Sequence, residues 1–247
     1  MANLYFDESL DAAELAEGGL VVLGGDEARH AVRVSRLRAG ERTIVGNGRG
    51  VLAHGVVETV DRDRLAVRID SVARVAAASP RLVLVQALAK GDRDERAVEQ
   101  ATEFGVDAIV PWQAERSVSR WEGERVAKGI EKWSRIAREA SKQSMRGWIP
   151  EVLPPVTLEG LCALAGDAHV LVLHPRGAAR LSDWRPGTEG SRDAYLVVGP
   201  EGGFSDAELD ALERAGATVL VLGETVLRTS SAGPAALAVL NAALGRW

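Results

Sequence analysis

The sequence predicts an α/β chain in which a small β-rich region precedes an open parallel sheet. Three observations carry this. From about residue 81, apolar strand-like runs alternate with helical patterns, as in strands joined by crossover helices. Before residue 73 the chain instead shows short β-branched runs broken by glycine turns. Two buried runs near the end, Tyr195 to Val198 and Ala217 to Leu222, each stop at a glycine and lead towards a helix. Such strand ends are where open α/β sheets bind their ligands.

Composition bounds the reading. With 247 residues, 46% of them hydrophobic, the chain can bury one large core or two modest ones. No run approaches 18 uninterrupted apolar residues, and the acidic start MANLYFDESLDAAELAE lacks the basic and apolar regions of a leader, so a cytoplasmic protein is expected. A single cysteine, Cys162, excludes an internal disulfide and a cysteine-cluster metal site, and no metal is expected. Net charge is −5, which by itself opposes a nucleic-acid partner. Its distribution points the other way. Lys and Arg stand against Asp and Glu as 9 to 12 in residues 1–73, 14 to 11 in 74–150 and 7 to 12 in 151–247, so the middle third is basic.

In order, residues 1–73 give strands at Leu4 to Phe6, Leu20 to Leu23, Thr43 to Val45, Val51 to Val60 and Leu65 to Val72. Asn47-Gly48 between two of them signals a hairpin. GNGRG is read as that turn and not as a nucleotide loop, because a strand follows it. Asp26 to Leu37 is the one helical stretch here, with His30, Arg33 and Arg36 at helical spacing, either a solvated face or an RNA-facing one. Residues 74–80, containing VAAASP, read as a linker to a second domain over 81–247.

There the pattern gives a strand at Leu82 to Leu88, a helix from Asp92 to Phe104 and a strand at Val106 to Val110. A long helix from about Gly123 to Arg146, a helix near Leu158 to Ala165 and a strand at His169 to Leu173 follow. Along the long helix Val126, Ile130, Trp133, Ala137, Ala140 and Ser144 form one apolar face. Lys128, Lys132, Arg135, Lys142 and Arg146 recur on another, a row suited to a phosphate backbone or to water.

The stretch AYLVVGPEGGF is a buried strand emptying into a loop with three glycines in five residues. Ser205 and Glu208 then form a capping box at a helix start. The loop is neither G-x-G-x-x-G nor the phosphate-cradling G-x-x-x-x-G-K-[ST], so a dinucleotide or triphosphate is not indicated. The downstream stretch LGETVLRTSSAG leaves the next strand and enters an apolar C-terminal helix, and two such loops can enclose one pocket.

GPEGGF, then LG, then LRT-x-x-A before a final helix resembles the SPOUT superfamily of S-adenosylmethionine-dependent RNA methyltransferases, and within it the RsmE family. Lys90-Gly91-Asp92, Thr102 to Val106, Pro111, Arg116-Ser117, Trp133, Glu139-Ala140, Gln143, Arg146 and Pro150 extend the resemblance over residues 81–247. Residues 1–73 match only loosely. The resemblance implies a PUA-like β-barrel for RNA recognition, then an α/β domain with a C-terminal trefoil knot. It also implies a homodimer, and transfer of a methyl group to N3 of a uridine in 16S ribosomal RNA of the small subunit.

The same resemblance places the cofactor among Leu173, His174, Gly199, Pro200, Glu201, Gly202, Gly203, Leu222, Gly223, Leu227, Thr229 and Ala232. Together with the helical spacing of the basic residues, it points to RNA contacts at His30, Arg33, Arg36, Lys90, Arg116, Lys132, Arg135 and Arg146. Arg228, Thr229 and Glu201 are the candidate catalytic residues: Arg228 stabilises charge on the uracil oxygens, or holds the substrate phosphate, or caps the loop and pairs with Glu201; Glu201 orients the loop or the cofactor's amino group; and Thr229, Ser231 or a substrate-bound water shares the work of a base. One departure matters. Where the family often reads L-R-T-E-T-A, this chain has Leu227-Arg228-Thr229-Ser230-Ser231-Ala232, so the expected glutamate is missing, and His174 is a rival base. Two other readings stay open: an α/β enzyme using another adenine-containing cofactor such as NAD, and a non-catalytic RNA-binding protein.

Overall fold

The computed structural model describes residues 3–186 and 192–247. It divides into two compact units, Met1–Ala77 with Ser141–Ile149, and Ala78–Ala140 with Pro150–Trp247.

In the first unit five strands, β1 (Leu4–Phe6), β2 (Leu20–Gly24), β3 (Arg42–Gly46), β4 (Val51–Val60) and β5 (Arg64–Arg74), form a sheet in the order β1-β3-β4-β5-β2. β1 runs parallel to β3, and the other neighbours are antiparallel. The β3–β4 hairpin turns at Asn47, whose buried side chain accepts from the backbone N–H groups of Arg49 and Val51. Tyr5, Leu23, Val45, Leu65 and Val67 build the core.

The helix expected over 26–37 is shorter and irregular. Helix α1 (Gly25–Arg29) opens into a π-turn over His30–Val34, with the Ser35 N–H bonded to the His30 carbonyl, five residues back, and Arg36 at φ 53°. His30, Arg33 and Arg36 are all exposed, but the wide turn removes the regular α-helical face on which their spacing rested. Segment 141–149 belongs to this unit through the bonds of Gly50 N–H to Gly147 O, Ile149 N–H to Gly48 O and the Trp148 indole to Val75 O.

The second unit is a seven-stranded, wholly parallel sheet. Its strands are β6 (Leu82–Ala87), β7 (Ala108–Trp112), β8 (Glu151–Val152), β9 (His169–Leu173), β10 (Ala179–Arg180), β11 (Ala194–Val198) and β12 (Thr218–Val221), in the order β10-β12-β9-β11-β6-β7-β8. Side chains alternate across each strand, so both faces are buried. On one face Leu82, Leu84 and Val198 meet α2 (Arg93–Glu103), α3 (Glu124–Gln143) and α6 (Thr229–Ala243). On the other, Val83, Val85 and Val197 meet α4 (Leu158–Leu164) and α5 (Asp206–Arg214).

The strand expected over 106–110 begins at Ala108, because Gly105 to Asp107 form a turn in which the Asp107 carboxylate accepts from the Leu82 N–H. The long helix ends at Gln143 and not at Arg146. Met145 takes a left-handed conformation there, with Arg146 N–H bonded to Ser141 O and Met145 N–H to Lys142 O, a stop usually marked by glycine. The capping box at Ser205 and Glu208 is present as expected. Among the described residues no helix is long and apolar enough to cross a membrane, and no group of three or more His, Cys, Asp or Glu is placed to hold a metal ion.

Candidate active site

β9 lies between β12 and β11, so the loops leaving these three strands emerge side by side at the carboxyl edge of the sheet. They enclose a cleft of about 580 Å³, within the range of small-molecule sites. Leu173, His174, Gly199, Pro200, Glu201, Gly202, Gly203, Leu227, Arg228, Thr229 and Ala232 all line it. Leu222 and Gly223 line a smaller lobe of about 90 Å³ that shares Leu173, His174 and Leu227. The two glycine loops therefore face one space. Pro175, Val198, Phe204, Val221, Thr225 and Val226 complete the walls together with Arg93, which alone comes from outside the strands and loops that the sequence pointed to.

The loop after β11 is held at nearly every residue. Trp112 donates its indole N–H to Val198 O at 3.2 Å, and the Thr229 hydroxyl donates to Gly199 O at 2.8 Å. Gly203 N–H closes a turn onto Pro200 O at 2.9 Å, with Gly203 at φ +68°. Arg116 donates to Gly202 O at 3.1 Å. A Cβ on Gly202 would lie 3.1 Å from Arg116 Cβ, so glycine admits this close approach. Glu208, buried in the capping box, takes Ser205 N–H on one carboxylate oxygen and Glu115 N–H on the other, both at 2.8 Å.

Glu201 Oε1 accepts from Lys90 N–H at 3.0 Å and from the Arg93 guanidinium at 2.6 Å. Burial alone would raise its pKa, but the Arg93 bond and the backbone N–H groups of Glu201 and Lys90 outweigh it and hold the carboxyl below its ordinary value. Glu201 is thus an anionic clamp between the glycine loop and the start of α2.

The residues considered as bases are engaged otherwise. Thr229 is buried, gives its single hydroxyl proton to Gly199 O and accepts from Gln86 Nε2 at 2.9 Å. His174 Nδ1 accepts from Arg176 N–H at 3.2 Å, so the neutral ring carries its hydrogen on Nε2 and presents a donor to its surroundings. Burial and then the charge of Arg176 push its pKa down, against a smaller opposing effect of Asp206 and Glu213, so the ring is neutral at pH 7. Ser231 is exposed. Arg228, at the N-cap of α6, is exposed and its guanidinium has no ion-pair partner among the described residues.

The expected basic row is largely engaged within the protein. Lys128 pairs with Glu124 at 3.3 Å, Lys132 with Glu95 at 2.5 Å, and the mostly buried Lys142 with Glu27 at 3.0 Å. Arg135 is exposed and Arg146 half-buried. Lys90 and Arg116 have exposed side chains, although the Lys90 backbone and the Arg116 guanidinium also serve the glycine loop.

Residues 77–241 match the family model described as the RNA methyltransferase domain, and residues 23–70 match the RNA methyltransferase PUA domain. The class is therefore that of RNA methyltransferases with a PUA domain, on an α/β fold as expected. A curated relative from Mycobacterium bovis, "Ribosomal RNA small subunit methyltransferase E", is 43% identical over 252 residues, covering 100% of this chain and 94% of the relative. Its namesake from Bacillus subtilis is 27% identical, over 96% and 95% of the two chains. A crystal structure of ribosomal RNA small subunit methyltransferase E from Neisseria gonorrhoeae bound to S-adenosylmethionine superposes with a TM-score of 0.85, at 28% identity and 98% coverage of both chains. A Legionella pneumophila structure that also holds the bound cofactor S-adenosylmethionine gives a TM-score of 0.84, at 33% identity and 98% coverage of both chains. The chain belongs to the ribosomal RNA small subunit methyltransferase E family.

Proposed function

We propose that this chain transfers a methyl group from S-adenosylmethionine to N3 of a uridine in 16S ribosomal RNA. The observation that carries the reading is the single cleft enclosed by the loops after β9, β11 and β12. S-adenosylmethionine has no phosphate, and the cleft fits it. Leu173, Val198, Leu227 and Ala232 give an apolar lining, and the glycine loop brings backbone close without a basic cradle. His174 Nε2–H and the Glu201 carboxylate are the polar groups placed to orient it. When bound, S-adenosylmethionine supplies a methyl group on an electrophilic sulfonium.

The chain's own part is placement and charge. Holding the glycine loop at Val198, Gly199, Glu201 and Gly202 keeps the methyl-donor site in one geometry, where most of the gain from orientation arises. Arg228 places its charge beside the uracil oxygens and so favours loss of the N3 proton. With Thr229, Glu201 and His174 engaged as described, that proton leaves to solvent and not to a side-chain base. Thr229 and Glu201 act as positioning residues, and the missing glutamate of the LRTSSA stretch is not needed. The trefoil knot and the homodimer implied by the resemblance belong to this reading. Light scattering should give twice the 26.3 kDa chain mass, and a monomer at working concentration would remove the homodimer.

The function itself is tested by single-turnover transfer of labelled methyl to small-subunit RNA, with the product base identified after digestion. Label at uridine N3 is expected. No incorporation at saturating cofactor favours a non-catalytic RNA-binding protein, and equilibrium binding of NAD in preference to S-adenosylmethionine favours the other enzyme reading.

In this reading His30, Arg33, Arg36, Lys90, Arg116, Lys132, Arg135 and Arg146 contact RNA. The engagement of Lys132 by Glu95 separates it from Arg135. Arg135→Ala should weaken RNA binding and reduce the slope of log K against log salt by about 0.7 to 0.9, the loss of one phosphate contact. Lys132→Ala should change it less, and an unchanged slope in Arg135→Ala removes α3 from the RNA surface.

A further inference from the structure

Gln86, the penultimate residue of β6, is fully buried and paired in register with Val198. Its neighbours Leu82 and Leu84 on the same face are apolar, and nothing in that core calls for an amide. The amide orientation is fixed by its surroundings. Nε2 gives one hydrogen to Ala87 O at 3.1 Å and the other to Thr229 Oγ1 at 2.9 Å, and a flipped amide would set Oε1 against the Ala87 carbonyl. Oε1 has no hydrogen-bond donor among the described residues. A buried acceptor without a donor is costly, and a methionine or leucine would fill the volume without that cost. What glutamine supplies and they cannot is the N–H to Thr229.

That bond decides which way the Thr229 hydroxyl points. With one of its two lone pairs turned to the Gln86 N–H, the hydroxyl directs its proton to Gly199 O at 2.8 Å. The next residue is Pro200, which has no N–H, so the Gly199 carbonyl is the only hydrogen-bonding group of its peptide unit and one bond fixes the plane. Pro200 then transmits that plane, through its restricted φ, to Glu201 and the turn closed by Gly203. We propose that Gln86 is a positioning residue of the methyl-donor site, acting through Thr229 to set the Gly199–Pro200 peptide and the glycine loop. This rests on the proposed function for the identity of the ligand.

A double-mutant cycle read by equilibrium titration with S-adenosylmethionine tests it. Gln86→Met should weaken cofactor binding about five- to tenfold, the loss of one net hydrogen bond. Thr229→Val should weaken it at least as much, and the double variant should match Thr229→Val within about twofold, because the effect of Gln86 passes through Thr229. Thr229→Ser, which keeps the hydroxyl, should recover affinity to within about threefold of the native chain. Should Gln86→Met fail to fold, Gln86→Glu serves: its carboxyl donates to Thr229 only when protonated, so its affinity should rise from pH 8 to 6.5 while that of the native chain stays flat. Native affinity in Gln86→Met, multiplicative losses in the double variant, or a pH-independent Gln86→Glu overturn the inference. Failure of the native chain to bind S-adenosylmethionine instead overturns the functional reading.

Discussion

Arg228→Ala lowers the single-turnover rate of methyl transfer by about 10²- to 10³-fold, the usual loss when one group stabilising developing charge is removed from a preorganised site. Affinity for S-adenosylmethionine stays within about threefold of native. The split follows from the geometry. Arg228 is exposed at the N-cap of α6 and makes no ion pair among the described residues, so its removal unties no loop. In the proposed reaction its charge acts on the base that loses a proton, an interaction strengthened as the reaction proceeds, and such a loss appears in the rate and not in binding. Measurement of both quantities on one preparation, with the unfolding midpoint as a control, checks it. Full activity would remove Arg228 from the chemistry, and a loss confined to cofactor affinity would reassign it to binding.

Glu201→Ala has the opposite profile, weakening cofactor binding by about five- to thirtyfold with a rate at saturation close to native. The carboxylate holds the glycine loop to Lys90 N–H and Arg93. Hydrogen bonds to charged groups are worth about 1.5–3 kcal/mol, and this pair is discounted to about 1–2 kcal/mol because the Arg93 and Glu201 side chains are 41% and 29% exposed. The pH dependence has a definite sign. The folded pKa of Glu201 lies below its unfolded value, so the stabilisation is complete above the ordinary carboxylate range and is lost as pH falls through the folded pKa. Native cofactor affinity should therefore be flat from pH 6 to 8. Calorimetric titration checks both points. Unchanged affinity in Glu201→Ala would show that the clamp does not shape the site, and a rate loss at saturation would return Glu201 to the chemistry.

Most of the architecture was legible because the chain states it locally. Ser205 and Glu208 three residues apart announce a helix start, and the structure has that capping box. β-branched runs ending at Gly199 and Gly223 announce strands that empty into loops, and the cleft lies there. The gaps have physical causes. Two-residue edge strands such as β8 and β10 are too short to show a period. The π-turn at His30 and the left-handed Met145 carry no glycine or proline to mark them. The association of 141–149 with residues 1–77 rests on non-local backbone bonds at Gly48 and Gly50 that composition does not encode. At the site, residue types were readable but their partners were not. Glu201 pairs with Arg93 from 108 positions earlier, and Gln86 reads in sequence as one more buried strand residue. The partners of Lys132 and Lys142 on the long helix were hidden for the same reason, since Glu95 and Glu27 come from other elements.

The most direct test of the account is a crystal structure of the native chain with S-adenosylmethionine. Density for the methyl donor is expected between Leu173–Pro175, Gly199–Gly203 and Leu222–Ala232, with the Gln86–Thr229–Gly199 bonds intact and Glu201 still on Lys90 and Arg93. Density at any other surface, or a cofactor that enters only after those bonds have broken, would contradict it.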